Sequence, residues 1–245
     1  MVTRRCFLTM AGSLLLKRGI LPALAQENQA IPPLEDQVPP MLDHILLGSS
    51  DLERGVAFVE AHTGVRAAFG GVHPGRGTQN ALLSLGERHY LEVIAPDPRQ
   101  PRGNALAAKL ETLSEPRLVG WAAHPRNIVA LAAELKRAGV VAEGPTPGSR
   151  RRPDGQVLHW QTLNLKDDAD GLLPFFIEWG TGSPHPSSDA PAGCQLIRLE
   201  ILTPDPARLS KLARQMSLEV PIAKAAAPEL HAVIEGPKLT LSITS

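Results

Sequence analysis

The residues best placed to do chemistry in this 245-residue chain are a carboxylate and a histidine that lie in apolar segments. Glu92 lies within YLEVIAP, where a buried carboxylate is costly unless it is paired or bound to a metal. Strand alternation puts Glu92 on one face with Tyr90 and Ile94. Glu92 therefore lies in a binding site if that face lines a concavity, and in solvent if it is the outer face. His44, within LDHILLGS, can bind a metal, act as a general base, or simply be satisfied by Asp43.

Other polar and aromatic residues could bind a substrate. Asn80 begins a strand after a Gly-rich loop, where it can hydrogen-bond a substrate, orient His44, or merely close a turn. The arginine run 150–152 precedes a turn and is either solvated or supplies a clamp for an anion. His159 and Trp160 alternate on one strand, so only one of them faces a given side. Phe175, Phe176 and Trp179 are interpreted as core residues.

A unit of strand, helix and further strands occurs three times and must position these side chains. In the first unit, Ser50-Asp51 caps a predicted helix from about Leu52 to His62, which Gly64 ends before three strands follow. In the second unit the helix covers about Asn127 to Arg137 and ends at Gly139. The third unit begins at CQLIRLEIL and closes as a short hairpin.

The predicted fold is α+β, built from repeated βαβββ modules. Two modules form a curved mixed-sheet cup with helices outside, and a third module follows at the C-terminus. The predicted segments are a signal peptide (1–25), a flexible linker (26–40), the first module (41–100), a connecting helix (101–117), the second module (118–182), a linker (183–193) and the third module (194–245).

The segments LDH, HPGRGTQNALLSLGERHYLEVIAPDP and SRRRPDGQVLHWQT resemble the vicinal-oxygen-chelate superfamily, and within it the glyoxalase-like domain proteins. The resemblance covers roughly residues 41–180. It implies a small polar or anionic substrate bound in the cup. The reaction would be that of a metal-dependent lyase, isomerase or dioxygenase. The alternative is a metal-free protein of the bleomycin-resistance type that binds or sequesters small molecules.

The same resemblance implies specific roles. His44 and Glu92 occupy the two ligand positions of a module, with Glu178 as a supporting ligand, and would hold one divalent metal ion (Fe, Mn, Ni or Zn) or share acid–base work. The second unit has Gly120 or Trp121 where the first has His44, and neither is a ligand. The substrate-binding candidates are three residues: Asn80, Arg152 and Trp160. His73 is an alternative ligand, and no organic cofactor is implied.

The first 25 residues are typical of an export signal. Arg4-Arg5 precede a short apolar run, and Ala23-Leu24-Ala25 supplies a small-x-small cleavage site. The stretch TRRCFL resembles a twin-arginine signal, which implies a periplasmic or secreted protein. A buried N-terminal helix is the alternative.

Composition excludes several classes of protein. Equal numbers of basic and acidic residues (25 each) leave no basic excess for nucleic acid, and two cysteines do not make a disulfide scaffold. No Ser lies in a G-x-S-x-G turn and no Cys has an activating context, which argues against nucleophilic catalysis. We expect a small-molecule partner, no nucleic acid and no stable membrane anchor, and we leave a homodimer open.

Overall fold

The computed structural model describes residues 1, 37–101, 105–152 and 154–245. The predicted signal peptide beyond Met1, and the predicted linker up to residue 36, lie outside the described residues. Within the described residues, no helix has both the length and the apolar character that a membrane crossing requires.

The described residues form an α+β fold of strands and helices. The strands are β1 (Leu42–Gly48), β2 (Ala68–His73), β3 (Thr78–Ser84), β4 (Tyr90–Pro96), β5 (Arg117–Ala123), β6 (Ala142–Arg151), β7 (Val157–Leu165), β8 (Phe175–Trp179), β9 (Gln195–Thr203), β10 (Ile222–Lys224), β11 (Glu229–Glu235) and β12 (Thr240–Thr244). The helices are α1 (Leu52–Thr63), α2 (Ala105–Glu111), α3 (Ile128–Arg137) and α4 (Pro206–Gln215).

The first two modules share one eight-stranded sheet in the order β2-β3-β4-β1-β5-β8-β7-β6. Each module joins its first and last strands in parallel, β1 with β4 and β5 with β8. β1 and β5 pair antiparallel at the centre, so the two halves are related by a pseudo-twofold axis. The predicted pair of βαβββ modules is confirmed.

Equivalent polar caps begin the two module helices. The Asp51 side chain accepts from the amide of Arg54, and the Asn127 side chain accepts from the amide of Ala130. Each cap satisfies one of the amides that a helix start leaves unpaired. Apolar positions at helical spacing, such as Val56 and Val59 on α1, then bury one side of the helix against the sheet.

The two edges of the sheet approach each other because two glycines on β2 leave room for β6. A Cβ on Gly71 would lie 2.8 Å from the carbonyl oxygen of Arg151, and one on Gly70 would lie 2.3 Å from Nη1 of Arg150. Both distances are shorter than van der Waals contact allows. Glycines here therefore let the sheet curl, and the curl gives it a concave face.

The third module repeats the element order but not the strand pairing. Its four-stranded sheet runs β10-β9-β11-β12, with β10 parallel to β9 and β11 antiparallel to both neighbours. The predicted closing hairpin is confirmed as β11–β12. The apolar residues of this sheet, such as Leu199 and Ile234, join the same buried cluster as the core of the first two modules.

Two predicted loops are partly strand. The sequence of PGSRRRPDG predicts a loop or hairpin turn, but β6 continues to Arg151, and this places Arg150 in the sheet. The Gly-rich segment GGVHPGRGT contributes its first four residues to β2, which leaves a tight turn over 74–77. Gly and Pro favour turns in general, but pairing with a neighbouring strand outweighs that local preference here.

Candidate functional site

A cavity of about 280 Å³ lies on the concave face of the eight-stranded sheet. One side is polar and includes His44, His73, Asn80, Glu92 and Arg150. The other side is aromatic and apolar, with α2 contributing Leu106. The cavity lies at the lower end of the size range for ligand pockets, which favours a small molecule.

His44 lies at the floor of the cavity between two carboxylates. Its Nδ1 lies 2.7 Å from Oδ1 of Asp43, and its Nε2 lies 3.4 Å from Oε2 of Glu92. The side chain is only 2% exposed. Nε2 has no partner that meets hydrogen-bond geometry. The ring is therefore oriented from its Nδ1 side, while Nε2 is left available on the side of Glu92.

Asp43 is itself held by two further side chains. Nε1 of Trp179 donates to Oδ2 of Asp43 at 3.0 Å, and Nε2 of His185 lies 3.3 Å from the same oxygen. His185 comes from the segment between the second and third modules, 142 residues away in sequence. These contacts fix the carboxylate that orients His44.

The pKa values of His44 and Glu92 are shifted in opposite directions. Burial alone would lower the pKa of His44, but the adjacent Asp43 and Glu92 carboxylates raise it to about 9. Burial alone would raise the pKa of Glu92, but His44, His73 and the amide of Asn80 lower it to about 2. The pKa of Asp43 is also lowered, because His185 and His44 outweigh the effect of burial. Both directions favour a protonated imidazole beside an ionised carboxylate near neutral pH.

A second chain of contacts links Glu92 to a cation. Nδ2 of Asn80 donates to Oε1 of Glu92 at 2.6 Å, and Nη1 of Arg150 donates to Oδ1 of Asn80 at 3.1 Å. Arg150 is 4% exposed, and no carboxylate lies within ion-pair distance of it in the described part of the chain. His73 adds a ring nitrogen 3.6 Å from Oε1 of Glu92, and burial lowers its pKa.

Aromatic rings form a second part of the cavity lining. Tyr90 stacks on His44 with ring centroids 4.5 Å apart, and Phe175 approaches the same imidazole edge-on at 5.6 Å. Trp160 and Trp179 lie 5.5 Å apart at an interplanar angle of 57°. The chain has only nine Phe, Tyr and Trp residues, and four of them line this one cavity.

The structure brings together five of the sequence candidates around one cavity, namely His44, His73, Asn80, Glu92 and Trp160. Tyr90 and Ile94 share this face with Glu92, as strand alternation predicts. His159, the neighbour of Trp160, is exposed on the other face of β7.

Glu178 does not join them. It lies on the opposite face of β8, where its Oε2 accepts from the backbone amide of Ile128 at 2.6 Å and so caps α3. The residues of β8 that line the cavity are Phe175, Ile177 and Trp179. Alternation along the strand therefore turns Glu178 away from His44 and Glu92, and the predicted three-ligand set is not assembled.

Arg152 also lies away from this cavity. It follows the end of β6 and forms ion pairs with Asp154 at 3.3 Å and Asp189 at 2.6 Å. Arg150 is the member of the arginine run that enters the cavity. Arg150, and not Arg152, is therefore the residue available to pair with an anion in the cavity. Only a strand prediction for PGSRRR would have identified it.

The second module has different residues at the positions equivalent to His44 and Glu92, which are together called the dyad below. Seven residues before Asp51 is His44, and seven before Asn127 is Gly120, as the sequence predicts. In the first module Leu46 pairs with Glu92, and in the second Ala122, the equivalent of Leu46, pairs with Phe175. Phe175, and not Glu178, is therefore the structural counterpart of Glu92. Of the three aromatic residues interpreted as core, only Phe176 is fully buried, while Phe175 and Trp179 line the cavity.

The dyad fits the chemistry of two metal ligands but does not complete a site. Metal-bound histidines commonly donate their other ring N–H to a carboxylate, as Nδ1 of His44 can to Asp43. The 3.4 Å between Nε2 and Oε2 is compatible with two ligands of one ion at about 2.0–2.2 Å. Among the described residues, however, no group of three His, Cys, Asp or Glu side chains could hold a metal ion.

Three solved structures are similar to this chain, and the first of them supports the fold. A hypothetical protein from Staphylococcus aureus is 16% identical, with 82% of this chain and 84% of that chain covered and a TM-score of 0.57. Methylmalonyl-CoA epimerase from Mycobacterium tuberculosis is 19% identical over 62% of this chain and 93% of its own, with a TM-score of 0.42. A Streptomyces coelicolor methylmalonyl-CoA epimerase in complex with 2-nitronate-propionyl-CoA is 22% identical over 57% and 97%, with a TM-score of 0.43.

Comparisons of sequence give one family. No curated protein matches the chain. The family described as a glyoxalase-like domain matches residues 42–216, which span both modules of the large sheet, the segment that carries His185, and the start of the third module through α4. With the paired βαβββ modules and a cavity on their shared concave face, this match shows that the chain belongs to the family of glyoxalase-like domain proteins.

Proposed function

We propose that this chain is an enzyme that transfers a proton on a small anionic substrate bound in the cavity, with Glu92 as the base and His44 as the acid. The observation that carries the proposal is the contact between a carboxylate and an imidazole whose pKa values are shifted apart, both at the floor of one cavity. Such pairs separate the acid and base roles before the substrate arrives.

Each residue has a defined role in this reaction. Oε2 of Glu92 accepts a proton from an acidic C–H or O–H of the substrate, and the protonated Nε2 of His44 donates to the oxygen that gains charge. A pKa of about 2 makes Glu92 a weak base before a substrate binds. An anionic substrate that excludes water disfavours the ionised carboxylate, so its binding raises the pKa of Glu92 toward the useful range.

Proton exchange with solvent tests the proposal directly. The protein is incubated in D₂O with small carboxylates that carry an acidic α C–H, and deuterium incorporation is followed by NMR. We expect exchange with the wild-type protein and its loss in Glu92→Gln and His44→Gln. Glu178→Gln is the matched control, because this carboxylate lies on the other face of the sheet. If these carboxylates bind to the wild-type protein but exchange no deuterium, the enzyme proposal is wrong and the chain is a binding protein.

A divalent metal ion held by His44 and Glu92 is a second candidate. It is supported by the unpartnered Nε2 of His44, which faces Glu92 while Asp43 holds Nδ1. A bound Fe, Mn, Ni or Zn ion would act as a Lewis acid toward neighbouring substrate oxygens. Metal analysis of wild-type protein, His44→Ala and Glu178→Gln separates the candidates. Metal in wild type and Glu178→Gln but not in His44→Ala supports it, and equal content in all three rules it out.

We also propose that the protein is exported through its first 25 residues. The support is the twin-arginine-like TRRCFL followed by the Ala23-Leu24-Ala25 site. N-terminal sequencing of protein recovered outside the cytoplasm should begin at Gln26, and replacing Arg4 and Arg5 with Lys should retain the full-length chain inside. Full-length protein that keeps its first 25 residues in both compartments would contradict export by cleavage.

A further inference from the structure

We infer that the cavity recognises an aromatic carboxylate, whose carboxylate pairs with Arg150 and whose ring packs against the aromatic wall. The inference rests on the proposed use of this cavity for binding, but not on proton transfer. It adds a named anchor and a chemical class of ligand to the site.

The first support is the state of Arg150. Its guanidinium is buried, donates one hydrogen bond, from Nη1 to Asn80, and has no carboxylate within ion-pair distance among the described residues. Arginine can donate five hydrogen bonds, and a buried cation without a counter-ion is costly. Glu92 does not pair with it directly, because Asn80 lies between them. A ligand anion would supply both the missing charge and the missing acceptors.

The second support is that the fold makes room for this guanidinium. A Cβ on Gly70 would lie 2.3 Å from Nη1 of Arg150 and 2.6 Å from Oδ1 of Asn80. Any side chain at this position would displace the contact between the two residues. The absence of a side chain at Gly70 on β2 therefore leaves the space that the guanidinium of Arg150 occupies. By contrast, the neighbouring Arg151 is exposed and donates to the backbone oxygen of Gly155.

The third support is the aromatic wall described above, which determines what the rest of the ligand is. Four aromatic side chains around one small cavity favour a ligand with an aromatic ring, because such rings pack against each other in offset or edge-to-face arrangements. The cavity volume of about 280 Å³ suits a molecule of one ring. Arg76, exposed at the cavity edge, adds a second positive charge that attracts anions during entry.

Binding measurements with four simple probes test the inference in the presence of a chelator. Benzoate carries both features, benzamide lacks the charge, cyclohexanecarboxylate lacks the aromatic ring, and inorganic phosphate is an anion alone. By calorimetry we expect benzoate to bind about tenfold or more tightly than benzamide, because a hydrogen-bonded charge pair is lost in the amide. Benzoate should also bind more tightly than cyclohexanecarboxylate, and phosphate should bind most weakly.

Variants assign the effect to one residue. Arg150→Gln should weaken benzoate binding about tenfold or more and benzamide binding much less, whereas Arg151→Gln should change neither. Gly70→Ala is a second variant in case Arg150→Gln fails to fold. It keeps the charge but displaces the guanidinium, so it should weaken benzoate binding in the same way.

Four results would overturn the inference: benzoate binding no tighter than benzamide, equal effects of the Arg150 and Arg151 substitutions, benzoate no tighter than cyclohexanecarboxylate, or phosphate binding as tightly as benzoate. The proposed proton transfer fails separately. Benzoate binding to the wild-type protein without proton exchange of any substrate contradicts the enzyme proposal alone. Proton exchange on an acyclic substrate with no benzoate binding contradicts the aromatic carboxylate alone.

Discussion

The two modules of the large sheet share a fold but contribute opposite surfaces to the cavity. In the first module His44 and Glu92 occupy the equivalent positions that Gly120 and Phe175 occupy in the second. The first half therefore supplies His44 and Glu92 with their shifted pKa values, and the second supplies three of the four aromatic rings that line the cavity. Duplication gives two copies of a scaffold, and under the proposed function the acid–base pair is present in only one of them.

Glu92 and Glu178, one from each module, differ in the same way although they are the same residue type. Glu92 is 7% exposed, faces the cavity and contacts His44 and Asn80. Glu178 faces the opposite side and caps a helix. The residue type thus says less about function than the face of the strand on which it lies. Arg150 crosses this division, since it comes from the second module but contacts Asn80 of the first.

The largest expected effect comes from comparing a substitution in the polar dyad with one in the aromatic lining. The free energy of unfolding of each variant is measured by urea denaturation. His44→Gln leaves the Asp43 and Glu92 carboxylates buried without their shared cation, and we expect it to lower the free energy of unfolding by about 3–5 kcal/mol. Phe175→Leu exchanges one apolar side chain for another at the edge of a cavity, and we expect a loss below about 1.5 kcal/mol. Equal losses would mean that the polar half is no more tightly coupled than the aromatic half.

A smaller part of the same effect depends on pH. The pKa of His44 is raised from an ordinary 6.5 to about 9 in the folded protein. Its contribution to stability is therefore fully present below pH about 6.5 and is lost as the pH rises through about 9. The difference in Tm between wild type and His44→Gln should shrink over this interval. Phe175→Leu keeps His44 and both carboxylates, so its difference from wild type should change much less over this interval, and a parallel decline in both would contradict the assignment to His44.

Much of the fold follows from local signals in the sequence. Asp51 as a cap, Gly64 and Gly139 as helix stops, and apolar positions at helical spacing depend on neighbours within a few residues, which a sequence displays directly. The face shared by Tyr90, Glu92 and Ile94 also follows, because alternation along one strand needs no partner. The exact boundaries of the segments stay predictions.

The rest of the site depends on contacts that are distant in sequence. Glu178 seemed equivalent to Glu92 because both follow an aromatic-apolar pair, yet pairing of β5 with β8 makes Phe175 the counterpart. Arg150 reaches the cavity only because two sheet edges meet at Gly70 and Gly71, a tertiary contact with no local signature. His185 reaches Asp43 from what the sequence shows merely as a polar linker.

The smallest predicted effect asks whether the second glutamate is structural alone. Oε2 of Glu178 accepts from the first amide of α3, so the carboxylate both caps the helix and opposes the positive end of its dipole. Glu178→Gln keeps an acceptor but removes the charge, and should lower the free energy of unfolding by about 0.3–1 kcal/mol. Because the side chain lies behind the sheet, benzoate affinity and proton exchange should be unchanged. If benzoate affinity or proton exchange fell with Glu178→Gln as it does with a substitution in the cavity, the two faces of β8 would be coupled. The contrast between Glu92 in the cavity and Glu178 behind the sheet would then be wrong.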